Sequence, residues 1–131
     1  MRRFPVRAAL CVAALCLLLA GCGGKSNSPY TLAKTRQCLK DKHTVKFKGK
    51  LDFVASTATG GAVHLVLPRN AVTLVFGATV DDANNINDAY HRFRAKNVGV
   101  EDIIRQERNA VMLFRQHPTD SDIAAVEECL R

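Results

Sequence analysis

The fold of this chain is decided by residues 62–76, which read AVHLVLPRNAVTLVF. Two apolar runs rich in β-branched residues, 62–67 and 71–76, flank a short segment that contains Pro68, Arg69 and Asn70. β-Branched residues favour strands, whereas proline and asparagine favour turns. The pattern therefore predicts an antiparallel hairpin near the centre of a sheet.

Part of this sequence recurs 39 residues later. Residues 69–72 (RNAV) recur as residues 108–111, and Leu74 recurs as Leu113. The match predicts a second hairpin, built from residues 101–106 and 110–116, and suggests a duplicated strand–turn–strand–helix (ββα) unit. The match is short and leaves the duplication open, but the predicted architecture does not depend on it.

Three helices are predicted around these hairpins. Ser28 and Pro29 are suited to begin a helix that reaches residue 42, as its cap and its first helical residue. The second helix spans residues 80–96, and the third follows Thr119. Each of these two starts with a threonine and an aspartate three residues apart, which is the spacing of a capping box.

Residues 45–55 alternate between apolar and polar side chains. Apolar residues occupy positions 45, 47, 51, 53 and 55, and Lys46, Lys48 and Lys50 occupy even positions. The alternation predicts a half-buried strand, interrupted at Gly49, with the three lysines on one face. They form a candidate basic surface for anionic headgroups or an anionic wall polymer. The alternative is an edge strand whose lysines prevent pairing with other sheets.

Together these elements predict a single α+β domain. Its expected form is a two-layer sandwich, with an antiparallel sheet of four or five strands and three helices on one face. The helix-facing side of the central strands is assigned to Val72, Leu74, Val111 and Leu113. The other side is then a candidate apolar sheet face for a partner, a second subunit or an apolar ligand, formed by Val75, Met112 and Phe114. The alternative is that strand 45–55 or a loop covers it.

The first 22 residues form a separate unit. Three arginines in the first seven positions precede an apolar run, 8–20, that is shorter than the roughly 20 residues of a spanning helix. The run ends in Leu19-Ala20-Gly21-Cys22, which resembles the lipobox of bacterial lipoproteins. The resemblance implies cleavage before Cys22, a diacylglyceryl thioether on its sulfur and an acyl group such as palmitate on its amino group. It also implies a lipid-anchored protein on the extracytoplasmic side of the cell membrane.

This assignment divides the chain into a signal peptide (1–21), a lipidated tether (22–29) and one domain (30–131). The six residues 23–28 reach about 20 Å at most, so the domain would lie close to the lipid headgroups. Without the three signal arginines, the formal net charge falls from +7 to +4. The basic composition is therefore a weak argument for nucleic acid, and no nucleic-acid partner is predicted.

The same assignment changes the cysteine count. Cys11 and Cys16 leave with the signal peptide and Cys22 is lipidated, so Cys38 and Cys129 remain. In an exported, oxidising setting these two are predicted to form a disulfide. A redox pair or two metal ligands are the alternatives, but a redox pair usually has Cys-x-x-Cys spacing.

No motif indicates an enzyme, a metal or a cofactor. The four histidines, at positions 43, 64, 91 and 117, lack ligand spacing, and Asp88 with His91 is a common pairing on a helix. Neither a nucleophile motif nor a phosphate-binding loop is present. The sequence thus predicts no metal site, no catalytic residue and no cofactor.

The leading functional prediction is a non-enzymatic, lipid-anchored interaction module of the bacterial envelope. It would bind a protein partner, a second copy or a ligand through the apolar sheet face or the basic rim. The alternative is an enzyme, or an enzyme accessory, that acts on envelope material. A solute-binding lipoprotein is disfavoured, because the 110 residues after the signal peptide are too few for the two lobes usual in that class.

Overall fold

The computed structural model of the protein describes residues 28–43, 45–93 and 99–131. The predicted signal peptide, Cys22, the tether up to residue 27 and the predicted end of the second helix lie outside the described residues. In chain order the elements are α1 (Leu32–Lys42), β1 (Lys46–Phe47), α2 (Phe53–Ser56), β2 (Ala62–Val66), β3 (Ala71–Phe76), α3 (Val80–Phe93), α4 (Val100–Ile103), β4 (Ile104–Glu107), β5 (Ala110–Phe114) and α5 (Asp120–Glu127).

Within the described residues, five strands form one antiparallel sheet in the order β1-β2-β3-β5-β4. β3 and β5 lie side by side at its centre, and β1 and β4 are the edges. The α+β class and the antiparallel sheet are confirmed. The same residues contain five helices rather than three, because α2 and α4 are additional four-residue helices.

Both predicted hairpins are present. β2 pairs with β3, and β4 pairs with β5 through a turn at Arg108 and Asn109. Arg108 has a φ of 54°, the left-handed conformation that short hairpin turns require. In the first hairpin, the Leu67 N–H donates to the Asn70 carbonyl at 2.8 Å and closes a longer loop.

The register of β3 and β5 corrects the predicted assignment of faces. Phe114 pairs with Val72, and Met112 pairs with Leu74. Directly opposed residues of an antiparallel pair point to the same face, so these four side chains share one face. Val75 follows Leu74 directly and therefore points to the opposite face.

The predicted apolar sheet face of Val75, Met112 and Phe114 is therefore wrong. These side chains do not share a face, and each is 0% exposed. The repeat explains the error, because its offset of 39 residues is odd. Val111, the copy of Val72, pairs with Val75 and so points away from the face of Val72. The repeated segments thus occupy inequivalent positions in the sheet.

Helix α3 contacts the face that carries Val75. Asn87 of α3 donates from Nδ2 to Oε1 of Gln106 at 2.9 Å. Gln106 pairs with Val111, which pairs with Val75. The buried residues of α3 are Ala83, Ile86 and Tyr90.

Helix α1 contacts the other face. The guanidinium carbon of Arg36 lies 4.9 Å from the centroid of the Phe47 ring. Phe47 pairs with Leu65, and Leu65 pairs with Val72. The contacts thus place helices against both faces of the sheet, whereas the sequence predicted helices on one face only. This placement accounts for the burial of every residue of β3 and β5.

The strand predicted over residues 45–55 is present only at Lys46–Phe47. Gly49 has a φ of 138°, and a Cβ at this position would collide with the ring of His64. The chain turns at this glycine and forms α2, which Asp52 caps. Phe53 is therefore a helical residue and not an inward-facing strand residue.

Two further boundaries differ from the prediction. Thr31, rather than Ser28, caps α1, because its Oγ1 accepts from the Lys34 N–H at 3.4 Å. The strand predicted from residue 101 begins at Ile104, because residues 100–103 form the short helix α4.

A disulfide joins Cys38 of α1 to Cys129, which follows α5. The two Cα atoms lie 5.4 Å apart, and both side chains are buried. The Thr31 N–H also donates to the Arg131 carbonyl at 2.6 Å. The beginning and the end of the domain are therefore held together by a covalent bond and a backbone hydrogen bond.

Helix α5 begins with the predicted capping box. Thr119 Oγ1 accepts from the Asp122 N–H at 3.2 Å, and Asp122 Oδ2 accepts from the Thr119 N–H at 3.0 Å. Asn70 also donates from Nδ2 to this carboxylate at 3.3 Å. Burial acts to raise the pKa of Asp122, but the hydrogen bonds from Thr119 and Asn70 and the nearby Arg69 together hold the pKa below its usual value.

Acidification is expected to destabilise the domain in part through Asp122. Because its pKa is lower in the folded state, its stabilisation is complete above the unfolded pKa of about 3.9 and is lost as the pH falls through the folded pKa. Asp122→Asn should therefore flatten the dependence of unfolding free energy on pH below about pH 4, as measured by chemical denaturation. Asp120→Asn is the matched control in the same helical turn, and an equal flattening there would contradict the assignment to Asp122.

Candidate functional site

Two phenylalanine side chains are unusually exposed for their size. Phe53 is 77% exposed and Phe93 is 72% exposed. Single exposed apolar residues are normal on protein surfaces, but exposed apolar residues that lie together indicate interaction sites. Phe53 and Phe93 line the same cavity, so they mark the best candidate site in the described part of the chain.

The position of Phe53 is set by Asp52 and Tyr90. Asp52 Oδ1 accepts from the Ala55 N–H at 2.9 Å, which caps α2. The hydroxyl of Tyr90, a buried residue of α3, lies 3.1 and 3.0 Å from the two Asp52 carboxylate oxygens and donates to them. Through this bond α3 fixes the start of α2, and Phe53 follows directly.

An open cavity of about 390 Å³ lies between α2 and the C-terminal part of α3. Its lining consists of Asp52, Phe53, Val54, Tyr90 and Phe93. The volume falls within the usual range for ligand pockets, about 300–1,000 Å³. We refer to this cavity as the phenylalanine pocket.

The phenylalanine pocket combines apolar walls with one fixed carboxylate. Phe53, Val54 and Phe93 can hold a hydrocarbon group, and Asp52 is the only charged residue in the lining. The lining contains no serine, threonine, cysteine or histidine that could attack a substrate. This set of side chains is suited to binding a group rather than to cleaving a bond.

The pocket is remote from the point where the chain enters the domain. Asn109 Nδ2 donates to the carbonyls of Tyr30 and Gly77, each at 2.9 Å, so the start of the domain meets the segment that precedes α3. The 14 residues of α3 then lead away from this junction. At 1.5 Å per residue, Phe93 lies about 20 Å further along the helix axis.

The predicted basic surface is only partly regular. Lys46, Lys48 and Lys50 are all exposed, but only Lys46 belongs to β1. The turn at Gly49 ends the strand, so strand alternation does not place the three lysines on one face. β1 is an edge of the described sheet, which is where lysines oppose pairing with other strands.

The histidines are dispersed, and each has its own partner. His43 contacts Glu128, His64 Nδ1 lies 3.0 Å from Thr73 Oγ1, His91 Nδ1 lies 3.5 Å from Glu101 Oε1, and His117 Nδ1 lies 2.6 Å from Asp102 Oδ1. Across residues 28–43, 45–93 and 99–131, no group of three or more histidine, cysteine or acidic residues could hold a metal ion.

Sequence reasoning missed the phenylalanine pocket. It assigned Phe53 to the buried side of a strand and Phe93 to the buried side of a helix, whereas both are exposed. The available signal was Asp52, a favourable N-cap residue three positions before Ala55. The bond between Asp52 and Tyr90, which are 38 residues apart, has no local signature.

In the part of the chain that the structure describes, no helix is long and apolar enough to cross a membrane. Comparisons with protein-family models, with curated proteins and with solved structures find no match to this chain. The case for the phenylalanine pocket therefore depends on its own geometry and chemistry.

Proposed function

We propose that the protein is a lipid-anchored binding module of the bacterial envelope, and that it holds a protein partner in the phenylalanine pocket. The observation that carries this proposal is the pair of exposed phenylalanine side chains beside a carboxylate fixed by Tyr90. Apolar surface of this kind is retained at interaction sites, because elsewhere it promotes aggregation. The anchor is supported by the lipobox-like sequence that ends at Cys22.

The placement of the pocket fits this role. A tether of six residues would hold the entry side of the domain within about 20 Å of the anchoring membrane. The pocket lies at the other end of α3, about 20 Å from the entry. It would therefore be accessible to a partner on the side of the domain away from the anchoring bilayer.

The anchor is tested by replacing Cys22. The native protein is expected to begin at Cys22, to carry fatty acid by mass spectrometry and to sediment with membranes. The Cys22→Ala variant should lack the fatty acid and lose most membrane association, because stable anchoring requires two or more acyl chains. A native protein that begins at another residue and carries no fatty acid would contradict the anchor.

The pocket is tested by photocrosslinking in cells. Benzoylphenylalanine in place of Phe53 is expected to give a discrete protein adduct, and an added Phe93→Ser should abolish the adduct. The Phe93→Ser change should alter the free energy of unfolding by no more than about 0.5 kcal/mol, because the side chain is exposed. The control is benzoylphenylalanine in place of Asp88, an exposed residue of α3. Equal adducts from both positions, or none from position 53, would contradict the proposal.

A further inference from the structure

The charge of the phenylalanine pocket indicates what it accepts. Asp52 is its only charged lining residue, so the pocket carries one negative charge at neutral pH. Lys50 and Arg92 are close to the lining residues in sequence, but neither lines the pocket. A ligand inside the pocket therefore meets a carboxylate and no cation.

The Asp52 carboxylate is held in place but not saturated. It accepts from the Ala55 N–H and from the Tyr90 hydroxyl. An ionised carboxylate offers about four lone-pair sites, so it can still accept from a ligand. Because α2 and α3 fix its position, it needs no rearrangement before it binds a donor.

The exposed aromatic side chains favour the same kind of ligand. The face of a phenylalanine ring attracts a cation that comes within about 6 Å of its centroid. Phe53 and Phe93 both line the pocket with Asp52. A carboxylate beside exposed aromatic side chains favours an ammonium or guanidinium group over a neutral or an anionic one.

We propose that the phenylalanine pocket receives a lysine or arginine side chain of the protein partner. The methylene stem lies against Phe53, Val54 and Phe93, and the cationic head lies on Asp52. Lysine and arginine side chains combine an apolar stem with a charged tip, which matches these two kinds of lining. The inference rests on the proposed binding function and specifies the group that is bound. An anionic lipid is disfavoured, because its headgroup would face the Asp52 carboxylate.

The test uses n-pentylammonium as a probe for a basic side chain. The full chain, labelled with 3-fluorophenylalanine and held in nanodiscs of zwitterionic lipid, is titrated and followed by fluorine NMR. The Phe53 and Phe93 resonances are assigned from the Phe53→Tyr and Phe93→Tyr variants. We expect n-pentylammonium to bind on the order of fivefold more tightly than n-pentanol, and hexanoate to bind more weakly than both.

The variant Asp52→Asn should remove the advantage of n-pentylammonium over n-pentanol. Asparagine is also a good N-cap, so α2 should persist in this variant. Asp88→Asn is the matched control, and it should keep the advantage. If Asp52→Asn does not fold, the native chain decides the question, because the advantage should fall as salt increases.

Three results would overturn the inference. They are n-pentanol or hexanoate binding as tightly as n-pentylammonium, an advantage that persists in folded Asp52→Asn or at high salt, and no probe-induced shift of the two resonances. A photocrosslinked adduct that proves to be a second copy of this chain bound without a basic side chain would also overturn it. The proposed binding function would survive the first three results if the crosslink at position 53 forms.

Discussion

Replacing both Cys38 and Cys129 with serine is expected to lower the free energy of unfolding by about 4–5 kcal/mol. The disulfide closes a loop across a sequence separation of 91 residues, which restricts the unfolded chain far more than a short loop would. A loss of this size is a large part of the 5–15 kcal/mol that stabilises a typical domain. Urea denaturation of the native and the double-variant protein measures it directly.

A control separates this cross-link from the other cysteines. Cys22→Ser keeps the disulfide between Cys38 and Cys129, so it should unfold at the same urea concentration as the native protein. Reduction of the native protein should reproduce the loss seen in the double variant, because both remove the same loop constraint. A double variant with an unchanged unfolding midpoint would show that the cross-link contributes little to stability.

The variant Asn109→Ala is expected to lower the free energy of unfolding by about 2–4 kcal/mol. Asn109 is only 1% exposed, and its amide bonds to two separate segments of the chain. Its Oδ1 accepts from the Tyr30 N–H at 2.7 Å, and its Nδ2 donates to the carbonyls of Tyr30 and Gly77. Alanine would leave these three backbone groups without their partner, at about 1–3 kcal/mol for each group that stays buried.

Two comparisons make this prediction specific. Asn85→Ala, at an exposed position of α3, should change stability by no more than about 0.5 kcal/mol. Asn70→Ala should cost less than Asn109→Ala, because the bonds from Asn70 Nδ2 to Gln116 and Asp122 are longer, each 3.3 Å. Chemical denaturation gives all three values, and an Asn109→Ala loss similar to that of Asn85→Ala would contradict the role of the buried amide.

The two asparagines also explain why the sequence repeat was informative but incomplete. Each one follows the arginine of the repeated RNAV segment and lies in the turn before a central strand. The repeat therefore predicted two hairpins, and both are present. It misassigned the faces, because side chains alternate along a strand and an odd offset reverses the alternation.

The lysine-rich segment illustrates a different limit. Alternation over residues 45–55 satisfied the pattern of a strand, but Gly49 and Asp52 supplied a turn and a helix cap within it. A helix as short as α2 has little stability of its own in water. It persists because Tyr90 binds its capping carboxylate, and that contact brings Phe53 and Phe93 to one pocket.

The sequence by itself determined the features that arise from near neighbours. β-Branched runs and turn residues specified the two hairpins, threonine–aspartate spacing specified the start of α5, and the exclusion of three cysteines left one disulfide pair. The tertiary structure alone decided the register of β3 against β5, the burial of both sheet faces and the position of the phenylalanine pocket. These depend on contacts between residues far apart in the chain, whose free energy exists only once the chain has folded, so no local pattern encodes them.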